Sequence, residues 1–261
     1  MRLTPRYYIG KLGVSRADMQ QVLELLDEQV RRRRPAYVCA ANLEAAALAQ
    51  RDPTFCEIEN QAFLTTPDGM PLVWCAWIQG LSGVQRVTGP DLLIEVLRNS
   101  AQRSYTHYFY GDTPETLSKL ESAVKDRFPG VVIKGMHSPP FRDLSEQELG
   151  ATVAEINRLT PSFVWVGLGC PKQEKWMADV LPRIDASILV GVGAAFRFLA
   201  GEYRHPSWFC QMCGLEGLFW RGLRHPVMGL KWYSRHLPIC AWFLLAAACK
   251  RMRQVQCGGS R

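Results

Sequence analysis

Short apolar runs alternate with amphipathic helical patterns along most of the chain. Apolar runs, most of which end in Gly or Asn, predict strands over residues 36–42, 106–111, 131–136, 163–169 and 187–193, and another apolar stretch ends at residues 63–69. Helical patterns follow them over residues 43–52, 70–80, 89–101, 113–128, 145–159 and 172–184. Nearly continuous apolar strands between helices are typical of a sheet covered on both faces. We therefore predict an α/β, Rossmann-like fold with a mostly parallel sheet.

The carboxyl ends of such strands are where ligands bind in open α/β sheets. Here they carry Asn42 and the glycine turns that contain Gly111, Gly169 and Gly193. Each turn alone is more easily explained as an ordinary connection that needs a glycine backbone. Several glycine turns that lead into helix starts on one edge, however, form a seat for phosphate. Together they predict a site for a nucleotide diphosphate.

Several other nucleotide and metal enzymes are excluded by their missing motifs. The dinucleotide fingerprint G-x-G-x-x-G/A fails at Phe196 after one glycine pair and at Lys172 after the other, and no G-x-x-x-x-G-K-[ST] occurs. No H-E-x-x-H is present, and the five histidines have no ligand spacing. We therefore expect no metal and no cofactor, and an oxidoreductase is disfavoured.

The positive charge of the chain is concentrated at its end. Residues 1–200 hold 22 Lys+Arg and 22 Asp+Glu, whereas residues 201–261 hold nine Lys+Arg and two acidic residues. This contrast predicts an α/β core over residues 1–200 and a basic, mainly helical appendage over residues 201–261 that meets an anionic partner. Because the cations lie within a strongly apolar stretch, a nucleic acid is disfavoured as that partner. Arg204, Arg221 and Arg224 are candidate phosphate ligands, and the last two share one helix face.

The longest apolar run covers residues 237–249. It is shorter than the roughly 18 to 20 residues that cross a bilayer as a helix. Lys250, Arg251 and Arg253 follow it, so a buried terminal helix and a segment at the membrane interface fit equally well. The chain start lacks a secretion-signal pattern, and the nine cysteines suit a reducing compartment. We expect a cytoplasmic protein.

Eight motifs carry a resemblance to a known family. In chain order they are AANLEAAALAQRDP, PDGMPLVW, RVTGPDL, YGDTPE, FPGVVIKG, GLGCPKQEKW, GVGAAFRFLAG and GLEGLFWRGLRHP. The chain resembles the WecG/TagA/CpsF glycosyltransferases, glycosyltransferase family 26, from about residue 35 to residue 236. PDG, RVTG and GxPKQE are specific as a set, although each alone is weak.

The resemblance implies a metal-independent, inverting enzyme on the cytoplasmic face of the cell membrane. Such enzymes move a sugar from a UDP-sugar donor onto a polyprenyl-diphosphate-linked saccharide in the synthesis of wall or surface polysaccharides. The family's C-terminal appendage docks on the membrane and adds arginines to the active site, which agrees with the charge distribution above. Family members also self-associate, so a homo-oligomer is a candidate state.

The resemblance also assigns roles to single residues. Asp68, whose Pro-Asp-Gly context alone favours a turn residue, matches the proposed general base, which takes the proton of the attacking hydroxyl. Gln173 matches a glutamine that contacts the donor sugar, and its neighbour Lys172 is a weaker candidate. Asn42 and Arg86 match a strand-end asparagine and the RVTG arginine of the family.

Two positions depart from the family pattern. Ala40 stands where the family usually has Thr, and Arg197 stands where it usually has Asp. Both bear on substrate contacts, so an inactive member that binds nucleotide or lipid-linked sugar without transfer is the alternative hypothesis. The donor sugar, the acceptor sugar and the polymer stay open.

Overall fold

A six-stranded parallel sheet organises the protein. The computed structural model describes residues 4–203, 234 and 236–250. In spatial order the strands are β4 (Leu64–Pro67), β3 (Ala36–Ala41), β8 (Ile188–Gly191), β7 (Phe163–Gly167), β5 (Thr106–Gly111) and β6 (Val132–His137). Neighbouring strands are parallel throughout. The α/β fold predicted from the sequence is confirmed.

Both faces of the central strands are buried, which explains their apolar sequences. Successive side chains of a strand point to opposite faces. Phe109 and Trp165 therefore belong to one core cluster, whereas Tyr108 and Val164 belong to another. All four side chains are fully buried.

Helices cover the two faces. The first face is covered by α1 (Met19–Arg31), α5 (Gly89–Arg103), α6 (Pro114–Arg127) and α9 (Ala195–Leu199). The second is covered by α3 (Pro53–Gln61), α7 (Glu146–Leu159) and α8 (Lys172–Val180). A short 3-10 turn, Leu181–Arg183, follows α8, so the predicted helix over residues 172–184 is divided in two.

A third cluster lies beside the β4 edge. Its elements are the hairpin of β1 (Arg6–Ile9) and β2 (Leu12–Ser15), α2 (Leu43–Arg51), α4 (Met70–Ile78) and a helix over residues 236–250, called α10. Phe243 and Ala247 of α10 are buried in this cluster with Leu12 and Leu72. Part of the segment predicted as an appendage thus packs on the α/β core.

Side-chain caps fix many of the helix starts. Asp52 accepts a hydrogen bond from the backbone of Phe55 at the start of α3, where Pro53 supplies the first helical residue. Ser145 and Glu148 form a reciprocal capping box at the start of α7. These local signals mark the helix boundaries in the sequence.

Glu59 is a buried carboxyl group between α3 and the sheet. Neither of its carboxyl oxygens has a hydrogen-bond partner among the described residues. Burial, followed by the nearby charge of Glu174, raises the pKa of Glu59 to about 8, although Arg6 opposes this shift. The folded protein therefore retains this proton at pH values where the unfolded chain has released it.

This proton makes stability pH-dependent. The contribution of Glu59 is fully present below the unfolded pKa of 4.5 and is lost as pH rises to about 8. Glu59→Gln, which keeps the shape without the charge, should raise the free energy of unfolding at about pH 8 by a few kcal/mol and have a much smaller effect near pH 5. Denaturant titration between about pH 5 and pH 8 measures the free energy of unfolding of each protein. Glu57→Gln, at an exposed site on the same helix, is the control, and equal effects of both changes would refute the assignment.

Candidate functional site

Glycine turns bring the carboxyl ends of the central strands close together. Gly111, Gly169 and Gly193 all have positive φ angles, of 124°, 77° and 55°. A Cβ atom on Gly111 would lie 2.6 Å from the carbonyl oxygen of Gly167. Side chains are therefore excluded where the β5 and β7 turns meet, and backbone forms this part of the edge.

A cavity of about 610 Å³ opens at the ends of β5, β7 and β8. Backbone of Gly167, Gly169 and Gly193 lines it. Its side chains include the aromatic residues Tyr110, Phe141, Trp176 and Tyr203, the cationic residues Arg142, Lys172, Lys175 and Arg197, and the acidic residues Asp112, Asp143 and Asp179. Its volume is within the range of small-ligand sites. The predicted site residues Gly169, Lys172 and Gly193 thus share one cavity.

Gln173 lies behind the cavity wall rather than in the open. Its side chain is only 3% exposed. The amide oxygen accepts a hydrogen bond of 3.0 Å from the backbone N–H of Gly193, and the amide nitrogen donates one of 2.8 Å to Glu174. Gln173 therefore ties the start of α8 to the turn after β8. Its predicted contact with the donor sugar stays a prediction.

Glu174 is the buried partner of that amide. Burial raises the pKa of Glu174, and the hydrogen bond from Gln173 opposes the rise. One of its carboxyl oxygens has no hydrogen-bond partner among the described residues. Glu174 lies in the first turn of α8 and is buried.

Arg197 forms a fixed ion pair on the cavity wall. Its Nε donates to the Asp112 carboxylate at 2.9 Å and its Nη2 donates at 3.0 Å, while Nη1 donates to the Tyr203 hydroxyl at 3.2 Å. The Asp112 side chain is 5% exposed and that of Arg197 is 37% exposed. These hydrogen bonds, first to Asp112 and then to Tyr203, raise the pKa of Arg197. The charge at this departure from the family pattern is therefore balanced within the chain.

The predicted base lies at a second group of residues, which we call the β3–β4 corner: Asn42, Asp68 and Arg86. Ala41 and Pro67 are paired at the ends of β3 and β4. Asn42 and Asp68, the next residue of each strand, therefore lie next to each other. The Val87 N–H donates to the Pro67 carbonyl at 3.0 Å, which brings the neighbouring Arg86 to the same corner.

None of the three corner residues lines the cavity. Asn42 also caps α2, because its side-chain oxygen accepts hydrogen bonds from the backbone N–H groups of Glu44 and Ala45. The turn after β8 separates the corner from the cavity, and the start of α5 packs against it, where a Cβ on Gly89 would lie 2.9 Å from Val192 Cα. Both groups of residues thus belong to one edge of the sheet.

The other predicted site residues lie at the edge of the cavity or outside the described part of the chain. Gly111 does not line the cavity itself, but it contacts Gly167, which does. Arg204, Arg221 and Arg224 lie outside the described residues. Within residues 4–203, 234 and 236–250, no group of three His, Cys, Asp or Glu side chains is placed to hold a metal ion. The helices described in this chain also fall short of the length and apolarity that crossing a bilayer requires.

A parallel α/β sheet with a cavity at its carboxyl edge defines the class of open α/β proteins that bind their ligands at that edge. A sequence model of the glycosyl transferase WecG/TagA/CpsF family matches residues 7–254. The chain belongs to this glycosyltransferase family.

Two relatives carry a more specific name, N-acetylglucosaminyldiphosphoundecaprenol N-acetyl-beta-D-mannosaminyltransferase. The protein from Bacillus spizizenii is 28% identical over 175 residues, which cover 67% of this chain and 66% of the relative. The protein from Staphylococcus aureus is 23% identical over 183 residues, which cover 70% of each chain. The alignment with the Bacillus protein thus spans slightly less than two thirds of that relative.

The Gln173 contacts predict a measurable local effect. Gln173→Ala leaves the Gly193 N–H and a buried Glu174 oxygen without partners, so it should cost about 1–3 kcal/mol of stability and speed amide hydrogen exchange at Gly193. Glu174→Gln retains an acceptor and should preserve the protection of Gly193. Exchange followed by mass spectrometry measures both variants.

Gln20→Ala is the matched control, since Gln20 is an exposed helical glutamine. It should change stability by no more than about 0.5 kcal/mol. Unchanged exchange at Gly193 in Gln173→Ala would contradict the tie between the two turns.

Proposed function

We propose that the chain is an inverting glycosyltransferase that moves a sugar from a UDP-sugar to a polyprenyl-diphosphate-linked saccharide. Family membership and the printed names of its relatives support this reaction. The observation that carries it is the arrangement of the sheet edge, where a cavity suited to a nucleotide adjoins a corner that holds a carboxylate.

The strand order gives the donor an orientation. β4, which ends at the Asp68 corner, lies three strands from β7, whose turn lines the cavity. At a spacing of about 4.8 Å per strand, this separation is roughly 14 Å. The nucleoside would occupy the cavity over β5 and β7, and the diphosphate would lead past the β8 turn, so that the anomeric carbon lies beside β3 and β4. Phe141, 84% exposed at the cavity, offers an aromatic face to the nucleobase end.

Asp68 would act as the general base. In a single displacement the acceptor oxygen forms a bond to the anomeric carbon as the bond from that carbon to the diphosphate oxygen breaks. The acceptor's proton passes to the Asp68 carboxylate, and the bonding electrons leave with the diphosphate. Asn42 and Arg86, at the same corner, would hold sugar or acceptor hydroxyl groups.

The departing UDP needs positive charge. Cations on the protein suit this purpose, because they form charge-assisted hydrogen bonds with phosphate oxygens. Lys172 lines the cavity, and Arg204, Arg221 and Arg224 are proposed to add to it from the C-terminal segment. Under this proposal the reaction is independent of metal ions, and turnover persists in the presence of a chelator.

The acceptor's lipid requires proximity to a membrane. Leu237, Trp242 and Leu245 of α10 are 52–67% exposed and lie on the face opposite the buried Phe243. Lys250 lies over the Tyr8 ring at 5.7 Å, at the end of the same helix. An exposed apolar face with flanking cations suits the interface of an anionic bilayer. We propose peripheral attachment to the cytoplasmic face.

Release of UDP distinguishes an active transferase from the alternative, a protein that binds its ligands without transfer. An active enzyme releases UDP only when a suitable UDP-sugar and a lipid-linked acceptor are both present. Binding of nucleotide without UDP release, across a panel of UDP-sugars, would favour the inactive alternative.

Loss of the base has a defined outcome. Asp68→Asn should lower turnover by at least about 100-fold, because an amide cannot take the acceptor's proton. Affinity for UDP should stay close to that of the unsubstituted protein, since Asp68 lies outside the cavity. Asp126→Asn, at an exposed site on α6, serves as control. Full turnover in a folded Asp68→Asn protein would eliminate Asp68 as the base.

The exposed face of α10 predicts membrane affinity. Replacing both Trp242 and Leu245 by Ser should weaken binding to vesicles of phosphatidylglycerol and phosphatidylcholine by about tenfold or more, because apolar contact with the bilayer is lost. Cosedimentation measures the effect. Val132→Ser, at an exposed site on the distant β6 edge, should leave binding intact. Equal binding by all three proteins would argue against attachment through α10.

A further inference from the structure

Arg197 presents an oriented guanidinium group to the cavity. Asp112 binds it through Nε and Nη2, and Tyr203 binds Nη1. A guanidinium group has five N–H donors, and these contacts use three of them. Because Asp112 is buried and Arg197 is partly exposed on the cavity wall, the carboxylate holds the cation from behind.

Lys172 supplies a second cation from a different turn. It lines the same cavity at the start of α8, and it has no carboxylate partner in the described part of the chain. Lys172 is the first residue of α8, whose N-terminal end carries partial positive charge and has no side-chain cap, and the acidic residue of this first turn, Glu174, is buried. Like Arg197, the other two cavity cations are paired, Arg142 with Glu148 and Lys175 with Asp52, but neither of these two carboxylates lines the cavity.

We propose that Arg197 and Lys172 together hold the diphosphate of the nucleotide donor. This inference rests on the proposed function and adds the residues of the described core that recognise the leaving group. A diphosphate has several acidic oxygens, which can accept from a planar guanidinium and from an ammonium group at once. The glycine backbone between the two cations lets the phosphates approach closely.

Binding of uridine, UMP and UDP to the full-length protein, measured by titration calorimetry, tests the proposal. The unsubstituted protein should bind UDP most tightly and uridine most weakly. Arg197→Gln and Lys172→Gln should each weaken UDP binding by about tenfold or more, as expected for loss of charge-assisted hydrogen bonds. Uridine affinity should stay within about twofold, because these contacts reach only phosphate.

Two further variants keep the result interpretable. Arg197→Gln leaves the buried Asp112 carboxylate unpaired, so the double variant Arg197→Gln with Asp112→Asn removes both charges and protects the fold. The proposal predicts that UDP binding stays weak in this double variant. Arg183→Gln, at an ion pair with Glu146 outside the cavity, should leave all three affinities unchanged.

Three outcomes would overturn the proposal. The first is recovery of UDP binding in the double variant, and the second is an equal loss of uridine and UDP binding in Arg197→Gln. The third comes from a further titration with a UDP-sugar whose sugar carries a carboxylate. If Arg197→Gln weakens binding of that ligand alone and leaves UDP binding unchanged, the guanidinium binds the sugar rather than the diphosphate. A different result, in which the unsubstituted protein binds UDP no better than uridine, would reject the proposed function, the use of a UDP-sugar donor, rather than only the assignment of Arg197 and Lys172.

Discussion

The close approach of backbone turns at the carboxyl edge is the constraint on which the site depends. The β5 and β7 turns meet where a side chain on Gly111 would collide with the Gly167 carbonyl group. The β7 and β8 turns are tied by Gln173, whose amide bonds the Gly193 N–H. A Cβ on Gly191 would lie only 3.0 Å from the Gln173 amide nitrogen. The floor of the cavity is thus fixed by buried contacts before any ligand arrives.

This constraint divides the chemistry between two places. Fixed cations lie around the cavity, where Asp112 orients Arg197, and the Asp68 carboxylate lies at the β3–β4 corner. At that corner Asp68 lies near Arg86, whereas Arg197 and Lys172 lie around the cavity. In the proposed reaction the diphosphate leads from the cavity past the turn after β8, because the base must lie close to the anomeric carbon from which the diphosphate departs.

The sheet and most of its helices were predictable because their signals are local. Buried strands are apolar along their length, and caps such as Ser145 mark helix starts. The β1–β2 hairpin and α1 were not predicted, and α3 was read as part of an apolar stretch although Asp52 and Pro53 mark its start. The start of α1 is likewise marked locally, by a capping box of Asp18 and Gln21, so local signals were present for both helices, whereas the pairing of the hairpin with the rest of the fold is not local.

The site was predicted in part for the same reason. Strand-end position and family motifs indicated the glycine turns and Asp68. The pairing of Arg197 with Asp112 joins residues 85 apart in the chain, and the burial of Gln173 follows from the meeting of two turns. A motif specifies a residue type, but only the fold shows whether a polar side chain points to ligand or supports the backbone.

The stereochemistry of the product tests the central claim most directly. The purified chain would be supplied with α-linked UDP-sugars and a lipid-linked saccharide, and the new linkage would be examined by NMR spectroscopy. A single displacement at this sheet edge predicts a β-linked product formed together with UDP. A retained α linkage, or no transfer from any UDP-sugar in the presence of acceptor and membrane, would contradict the account.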